Sequence, residues 1–245
     1  MLLDLYTIVW KEWKEMFLAR GGTRSGLFSL LIILALLGIF MPLQSGREWL
    51  TTPVLVLVWT WMPVFLALGM VTDAIAGERE RHTLETLLAS RLPDRVIVLG
   101  KIAAAVLYAL GIMISSLLLG ALTVNLAFAE QGWRFYSGSI FFAVLVFCLL
   151  AALLISTLGV LVSLTSKTAR QAYQKLSAVM LLVWFVPMFS IQFLPEDIKI
   201  QLSMRLASLN LSTLMALGGG LLLIADAALL TACLHRFQRQ KLIGG

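Results

Sequence analysis

Charged side chains are scarce in this sequence. Asp, Glu, Lys and Arg make up 13% of its 245 residues, and 60% of the residues are hydrophobic. A soluble domain carries about a quarter charged residues, so this composition and a mean hydropathy of +0.94 exclude an ordinary soluble fold. The alternating pattern of a membrane β-strand is absent as well, which excludes a barrel. The sequence therefore predicts an all-α membrane protein.

Several signatures of catalysis are missing. The two cysteines, Cys148 and Cys233, have no CxxC spacing, and neither of the two histidines lies deep in an apolar run beside a nucleophile. The chain has no HExxH or GxSxG motif. A phosphate-binding loop needs GxxxxGK, but Arg95 stands five residues before the single Gly-Lys pair, Gly100-Lys101. We expect no metal, no directly bound cofactor and no enzymatic activity in this chain itself.

Long apolar runs account for most of the sequence. Crossing about 30 Å of hydrocarbon takes roughly 20 helical residues. Six runs meet that requirement approximately, and no soluble domain remains between them, so residues 1–245 are predicted to form one transmembrane domain. The predicted spans are 26–43, 53–75, 102–128, 139–164, 176–194 and 209–234.

The basic residues are distributed unequally between the loops. If the loops alternate across the membrane, fifteen Lys and Arg fall on the side of the N-terminus and four, Arg47, Arg134, Lys199 and Arg205, on the other. This split follows the positive-inside rule and predicts that both termini face the cytoplasm. It also explains the net charge of +6 without nucleic acid as a partner.

Residues 1–20 precede the first span and form a predicted amphipathic helix. Its apolar side is predicted to contain Leu2, Tyr6, Val9, Trp13, Met16 and Phe17, with Leu3 and Trp10 at its edge, and its polar side Asp4, Lys11, Lys14 and Glu15. Such a helix lies in the membrane interface, with its tryptophans at the level of the lipid headgroups. We expect it to anchor the first span.

The most charged stretch of the chain is the loop at 77–101. Residues 82–90 are rich in helix formers, and a second helix is predicted to start at Asp94, because the residue before Pro93 disfavours helix. On the first helix Leu84, Leu87, Leu88 and Arg91 share one face. That face could lie on the membrane surface, on the chain's own spans or in a groove of a partner protein.

This loop resembles the first cytoplasmic loop of type-2 ABC transporter permeases. Those permeases share a Glu-Arg pair, a Thr-Leu-Glu-x-Leu-Leu core, a Ser/Pro break and a Gly-Lys pair, and many of them carry Gly at the position of His82. The matching residues are Glu80, Arg81, Thr83, Leu84, Glu85, Leu87, Leu88, Ser90, Pro93, Gly100 and Lys101.

The resemblance implies a membrane subunit of an ATP-driven exporter in a cytoplasmic (inner) membrane. It implies two separate ATPase subunits that bind ATP and Mg²⁺, together with a second copy of the chain or a related permease. The loop would act as a coupling helix. The residues implied in that contact are Glu80, Arg81, Thr83, Leu84, Glu85, Leu87, Leu88 and Arg91.

Asp226 is an acidic residue inside the last predicted span. An acid in the membrane is costly and marks a translocation path or a proton or cation contact, unless a Ser or Thr of a neighbouring span hydrogen-bonds it. A secondary transporter or membrane scaffold working without an ATPase is the alternative function, although such transporters usually carry more intramembrane ionisable groups. Residues 195–210 could lie on the outer surface or re-enter the membrane.

Overall fold

The computed structural model describes residues 2–19, 23–201 and 211–237. Within these ranges the chain is helical and contains no strand, which confirms the predicted all-α class. The elements are α1 Leu2–Ala19, α2 Thr23–Ala35, a π-helical segment Leu36–Phe40, α3 Met41–Ser45, α4 Glu48–Thr51, α5 Pro53–Glu80, α6 Leu84–Ala89, α7 Asp94–Ala127, a short 3₁₀ turn Ala129–Gln131, α8 Gly138–Leu164, α9 Ala169–Phe193 and α10 Leu211–Arg236.

Three helical segments in the described ranges are long and apolar enough to cross a membrane. They are Asp94–Ala127, Gly138–Leu164 and Ala216–Arg236, and a shorter apolar helix covers Leu30–Ser45. The predicted spans at 53–75 and 176–194 fall on α5 and α9. The start of the last predicted span lies outside the described residues. Most of the segment 195–210 also lies outside them.

The core is built around α5, α7 and α8, which pack against one another. Helix α9 adds to α5, and α10 packs against α8. At Gly159 of α8 an added Cβ would collide with Val71 of α5, so the two helices approach closely there. Small residues allow such an approach between membrane helices, where van der Waals packing replaces the hydrophobic effect as the main attraction.

The first apolar helix contains an irregularity with a local cause. Pro42 has no backbone N–H, so it cannot donate to the carbonyl of Gly38 four residues earlier. The π-helical segment lies here, and the hydroxyl of Thr123 on α7 donates to the Gly38 carbonyl at 2.8 Å. A buried backbone acceptor is therefore satisfied from a neighbouring helix, and α2, the π segment and α3 stay joined to α7.

Two further prolines lie within helices. The backbone of α5 continues as helix through Pro63, and that of α9 through Pro187.

The charged loop has the predicted helix–break–helix form. Helix α6 ends at Ala89, and Pro93 has the extended ψ of 145° immediately before α7 begins at Asp94. Helix α7 has 34 residues and begins eight residues before the predicted third span. Its first two turns therefore belong to the charged loop, so that the loop and an apolar helix form one continuous element.

Candidate functional site

The most elaborate polar arrangement lies where α1, the end of α5, α6 and the start of α7 meet, a region called the charged junction below. Helix α5 ends there in a Schellman arrangement, in which Thr83 N–H donates to the Glu78 carbonyl at 2.9 Å and His82 N–H to that of Arg79 at 3.2 Å. His82 occupies the position that usually requires glycine, with φ of 58°. A glycine at this position in related permeases fits the same backbone.

An ion pair runs along the last two turns of α5. Arg81 Nη2 lies 2.6 Å from Asp73 Oδ2, and both side chains are partly exposed. Gly77 stands between them, and a Cβ at Gly77 would collide with the Asp73 carboxylate. The glycine thus makes room for a pair eight residues apart on one helix. Arg81, predicted from the sequence to contact a partner, has an internal partner as well.

The Glu78 carboxylate is the centre of the charged junction. It is almost fully buried and accepts from Lys11 of α1 at 2.5 Å, from the hydroxyl of Thr83, and from Lys101 of α7 at 3.4 Å. Lys101, whose side chain is 1% exposed, also pairs with Glu12 of α1. One buried network of charges therefore connects three helices and the loop that precedes α6.

The protonation of Glu78 follows from these neighbours. Burial acts to raise the pKa of Glu78, but Lys101 and the hydrogen bonds from Lys11 and Thr83 outweigh it and hold the pKa at about 2. Burial likewise acts to lower the pKa of Lys11, but the bond to Glu78 and the nearby carboxylates raise it overall. Both groups are therefore charged at neutral pH.

Three carboxylates, those of Glu12, Glu15 and Glu78, lie close enough to one another to share a metal ion. Lys101 pairs with Glu12, and Lys11 pairs with both Glu15, at 3.3 Å, and Glu78. Because ammonium groups already compensate these charges, the cluster is better suited to ion pairing than to holding a cation.

Helix α1 packs against the start of α7 through a close backbone contact. Ile8 fits over Gly100, where an added Cβ would lie 2.7 Å from the Ile8 side chain. Trp13 Nε1–H donates to the Ala104 carbonyl at 3.0 Å. The Gly100-Lys101 pair of the sequence motif therefore serves two purposes: glycine admits α1, and lysine binds its Glu12.

The apolar side predicted for α1 is only partly the side that packs. Val9, Trp13 and Met16 pack on the core, whereas Tyr6 is exposed. Ile8 and Glu12 are buried. This rotation of the helix brings Glu12 to Lys101, and the predicted position of α1 in the membrane interface stays a prediction. The side chains of Leu2 and Phe17 lie outside the described residues.

The outward side of α1 is also apolar. Leu3, Tyr6 and Trp10 are exposed at helical spacing, and the rings of Tyr6 and Trp10 stack with centroids 6.5 Å apart. Lys14 continues the same side of the helix and is exposed. The helix therefore carries one apolar surface toward the protein and a second one away from it.

The leucines of α6 differ in their surroundings. Leu84 and Leu88 are 6% and 4% exposed and belong to the chain's own core, and Leu87 is half-buried. Of the three locations left open by the sequence, the structure thus places this face on the chain's own helices. Leu87 and Leu92 line a groove of about 550 Å³ between α6 and α1, with Lys11 of α1 on its other side.

The remaining residues predicted for the partner contact lie at the surface. Arg81, Glu85 and Arg91 are exposed, as is Thr83 apart from its bonds to Glu78. Glu80 is exposed and its carboxylate accepts from Ala169 N–H at the start of α9, at 3.2 Å. These residues surround α6, and their role as a contact for another protein remains a prediction.

Just before the charged junction along α5, a serine of α8 binds the backbone of α5. Ser163 Oγ accepts from Ile75 N–H and Ala76 N–H at 3.1 and 2.8 Å and donates to the Thr72 carbonyl at 3.0 Å. A side chain inserted among helical backbone groups favours bending at that point. This contact was not predicted, since nothing in the sequence distinguishes Ser163 from other serines of apolar helices.

Asp226 is not part of the junction and belongs to α10, which packs against α8. It is 3% exposed, and neither carboxylate oxygen has a hydrogen-bond partner among the described residues. The hydroxyl of Ser156 on α8 is likewise buried, and no partner for it is found in the part of the chain that the structure describes. In this conformation no described Ser or Thr of a neighbouring helix hydrogen-bonds Asp226.

Comparison with known proteins gives a match to one protein family. Residues 42–218 match a family model described as "ABC-2 family transporter protein". No curated protein matches the chain. The matched segment covers more than half of the sequence and includes α5, the charged loop, α7, α8 and α9. With its apolar helices and the motif residues assembled at the charged junction, the chain belongs to the ABC-2 family of transporter membrane proteins.

Proposed function

We propose that this chain is the membrane-spanning permease subunit of an ATP-driven exporter, coupled to a separate ATPase through the exposed side of the charged junction. The observation that carries the proposal is the buried network around Glu78. It fixes α1, α5 and α7 to the loop that holds α6, so a displacement of that loop moves three helices together. Ser163 marks the point where α5 can bend in response.

The surface offered to the ATPase consists of charged side chains that surround the buried leucines of α6. Leu84 and Leu88 hold α6 to the helices beneath it, and Arg81, Glu85 and Arg91 remain at the surface. Side chains at the rim of an interface steer and orient a partner, whereas the leucines transmit the displacement. Leu87 is shared between the two roles because it lines the groove beside α1.

The rest of the assembly follows from the sequence and the family. One transmembrane domain, residues 1–245, would cross a cytoplasmic membrane six times with both termini in the cytoplasm, as the distribution of basic residues favours. Two ATPase subunits would bind ATP and Mg²⁺, and a second copy or a related permease would complete the translocation path. Asp226 is a candidate residue of that path. Helix α1 would lie in the interface with Leu3, Tyr6 and Trp10 toward lipid headgroups.

Charge reversal on the exposed side tests the coupling. We expect Glu85→Arg combined with Arg91→Glu to weaken association with the ATPase about tenfold or more and to abolish stimulated ATP turnover, because like charges then face each other across the contact. Glu130→Arg, an exposed reversal beyond the far end of α7, is the matched control. The measurements are co-purification from membranes and ATPase activity of the complex.

Leu84→Asp is a poor test, since Leu84 is buried in the chain's own core and its replacement would disrupt α6. If the double reversal leaves both co-purification and stimulated turnover unchanged while the protein inserts normally, the coupling proposal is wrong.

A secondary transporter that works without an ATPase is a second candidate. The buried acid Asp226 favours it, because intramembrane carboxylates commonly serve ion-coupled transport. Substrate movement in vesicles that contain this chain alone, driven by an ion gradient in the absence of ATP, would support that candidate against the first.

A further inference from the structure

We propose that Asp226 and Ser156 form a buried site between α8 and α10 that takes up and releases a proton within the membrane. The proposal concerns only this chain, so it does not depend on the ATPase partner.

The first observation is the pair of unsatisfied side chains. Both oxygens of Asp226 and the hydroxyl of Ser156 are shielded from solvent and lack hydrogen-bond partners among the described residues. Asp226 is 3% exposed, and Ser156 is completely buried. Buried polar atoms in native proteins are nearly always paired, so two such side chains on adjacent helices need an explanation.

The second observation places the two side chains at the same level. Gly218 of α10 lies against Phe147 of α8, with 3.4 Å between its virtual Cβ and the ring. The six predicted spans would have α8 and α10 cross the membrane in the same direction. With that direction, counting eight residues along each helix from this contact puts Asp226 at the level of Ile155 and Ser156.

The third observation is the lack of compensating charge. Helix α8 contains no Asp, Glu, Lys, Arg or His, and its single titratable side chain is Cys148. On α10 the other titratable or basic side chains are Cys233, His235 and Arg236. His235 is nine residues from Asp226, or about 14 Å along a helix. Among the described residues of these two helices an ionised carboxylate at this position would therefore have no counter-ion in a low-dielectric environment, which strongly favours the form that holds a proton.

The site contrasts with the acids of the charged junction. Glu78 is equally buried but has three donors, two of them ammonium groups, and so remains ionised. On α8, the described residues at the level of Asp226 are neutral and include the hydroxyls of Ser156 and Thr157. When the carboxylic acid loses its proton to water, the O–H electron pair stays on the carboxylate, and a small shift of α10 against α8 would let the Ser156 hydroxyl donate to it. Access for that water requires α8 and α10 to separate, which couples proton release to the packing of these helices.

A carbodiimide that partitions into membranes provides the test, because it modifies protonated carboxyl groups in apolar surroundings. The full-length protein in native membranes is treated with dicyclohexylcarbodiimide over a range of pH, and the modified residues are identified by mass spectrometry. We expect modification at Asp226 at least about tenfold above that of Glu12 and Glu78, the matched buried but ion-paired acids, with a decline as pH rises. Asp226→Asn should remove the signal, and Ser156→Ala should extend it to higher pH by removing the donor to the anion.

Two results would overturn the proposal. Protection of Asp226 by sodium or lithium chloride at constant pH, with potassium chloride as the control for ionic strength, would assign the site to a metal cation. The infrared spectrum gives a readout that does not depend on access of the reagent, since a protonated carboxyl has a C=O band that Asp226→Asn would lose. Absence of that band at every pH would show that Asp226 is permanently ionised.

Discussion

Glu78 and Asp226 are both acids that the fold buries almost completely, yet their surroundings are opposite. Glu78 accepts from Lys11, Thr83 and Lys101, whereas Asp226 accepts from none of the described residues. A buried charge with full compensation fixes the elements that contribute to it, because separating them would leave each charge alone. A buried acid without compensation fixes nothing and is stable only with a proton. This difference is the basis of the two proposed roles, a mechanical joint at Glu78 and a proton site at Asp226.

Removing the partner of a junction acid should produce the largest effect. Lys101→Met leaves Glu12 without the ammonium group it pairs with and takes one of three donors from Glu78. Loss of one member of a buried ion pair costs about 3–5 kcal/mol, so we expect a large decrease in the unfolding temperature in detergent. Tryptophan fluorescence follows the transition, with exposed Lys14→Met on α1 as the control. A variant as stable as the control would show that the network contributes little.

Low pH should also weaken the network around Glu78, with a smaller loss of stability than Lys101→Met causes. The pKa of Glu78 is lowered from its ordinary value of 4.5 to about 2 in the folded protein, so the folded state favours the ionised form. That contribution to stability is complete above pH 4.5 and is lost as the pH falls from 4.5 toward 2. We expect the unfolding temperature of the wild type to fall over this interval more steeply than that of Glu78→Gln, which has no proton to gain. Parallel curves for the two proteins would contradict the assignment.

The sequence predicted the parts of this comparison that depend on local chemistry. The break at Pro93, the helix start at Asp94 and the apolar helices follow from residues acting on their own backbone, and the structure has them. Asp226 was identifiable because an acid interrupts an apolar run. Its lack of a partner was not identifiable, since that depends on which face of α8 lies opposite.

The network around Glu78 shows why the other contacts of the site could not be predicted from the sequence. Glu12 is buried where it pairs with Lys101, 89 residues later, and that pairing helps to fix the rotation of α1. The periodicity of α1 predicted one apolar side, and it did not show that part of this side packs on the core while Tyr6 is exposed. Likewise, the leucine face of α6 could be covered in three ways, and only the tertiary packing selects among them.

The smallest change in stability is expected when the uncompensated acid, Asp226, is replaced by an apolar residue. If Asp226 carries an unsatisfied polar group, Asp226→Val should raise the stability of the protein by about 1–3 kcal/mol, the cost of leaving such a group buried. The unfolding temperature in detergent should increase, although any proton-linked activity would be lost. The matched change at the junction, Glu78→Gln, should lower it, because the amide leaves Lys101 and Lys11 with less compensation.

The two replacements thus have opposite predicted signs at two equally buried acids, which a general intolerance of substitution in the core cannot produce. Val is somewhat larger than Asp, so steric strain would work against the expected gain and cannot create it. A decrease in stability for both Asp226→Val and Asp226→Asn, whose side chain has nearly the size of Asp, would therefore show that Asp226 has a stabilising partner. Compensation of charge would then no longer distinguish the Glu78 network from the Asp226 site.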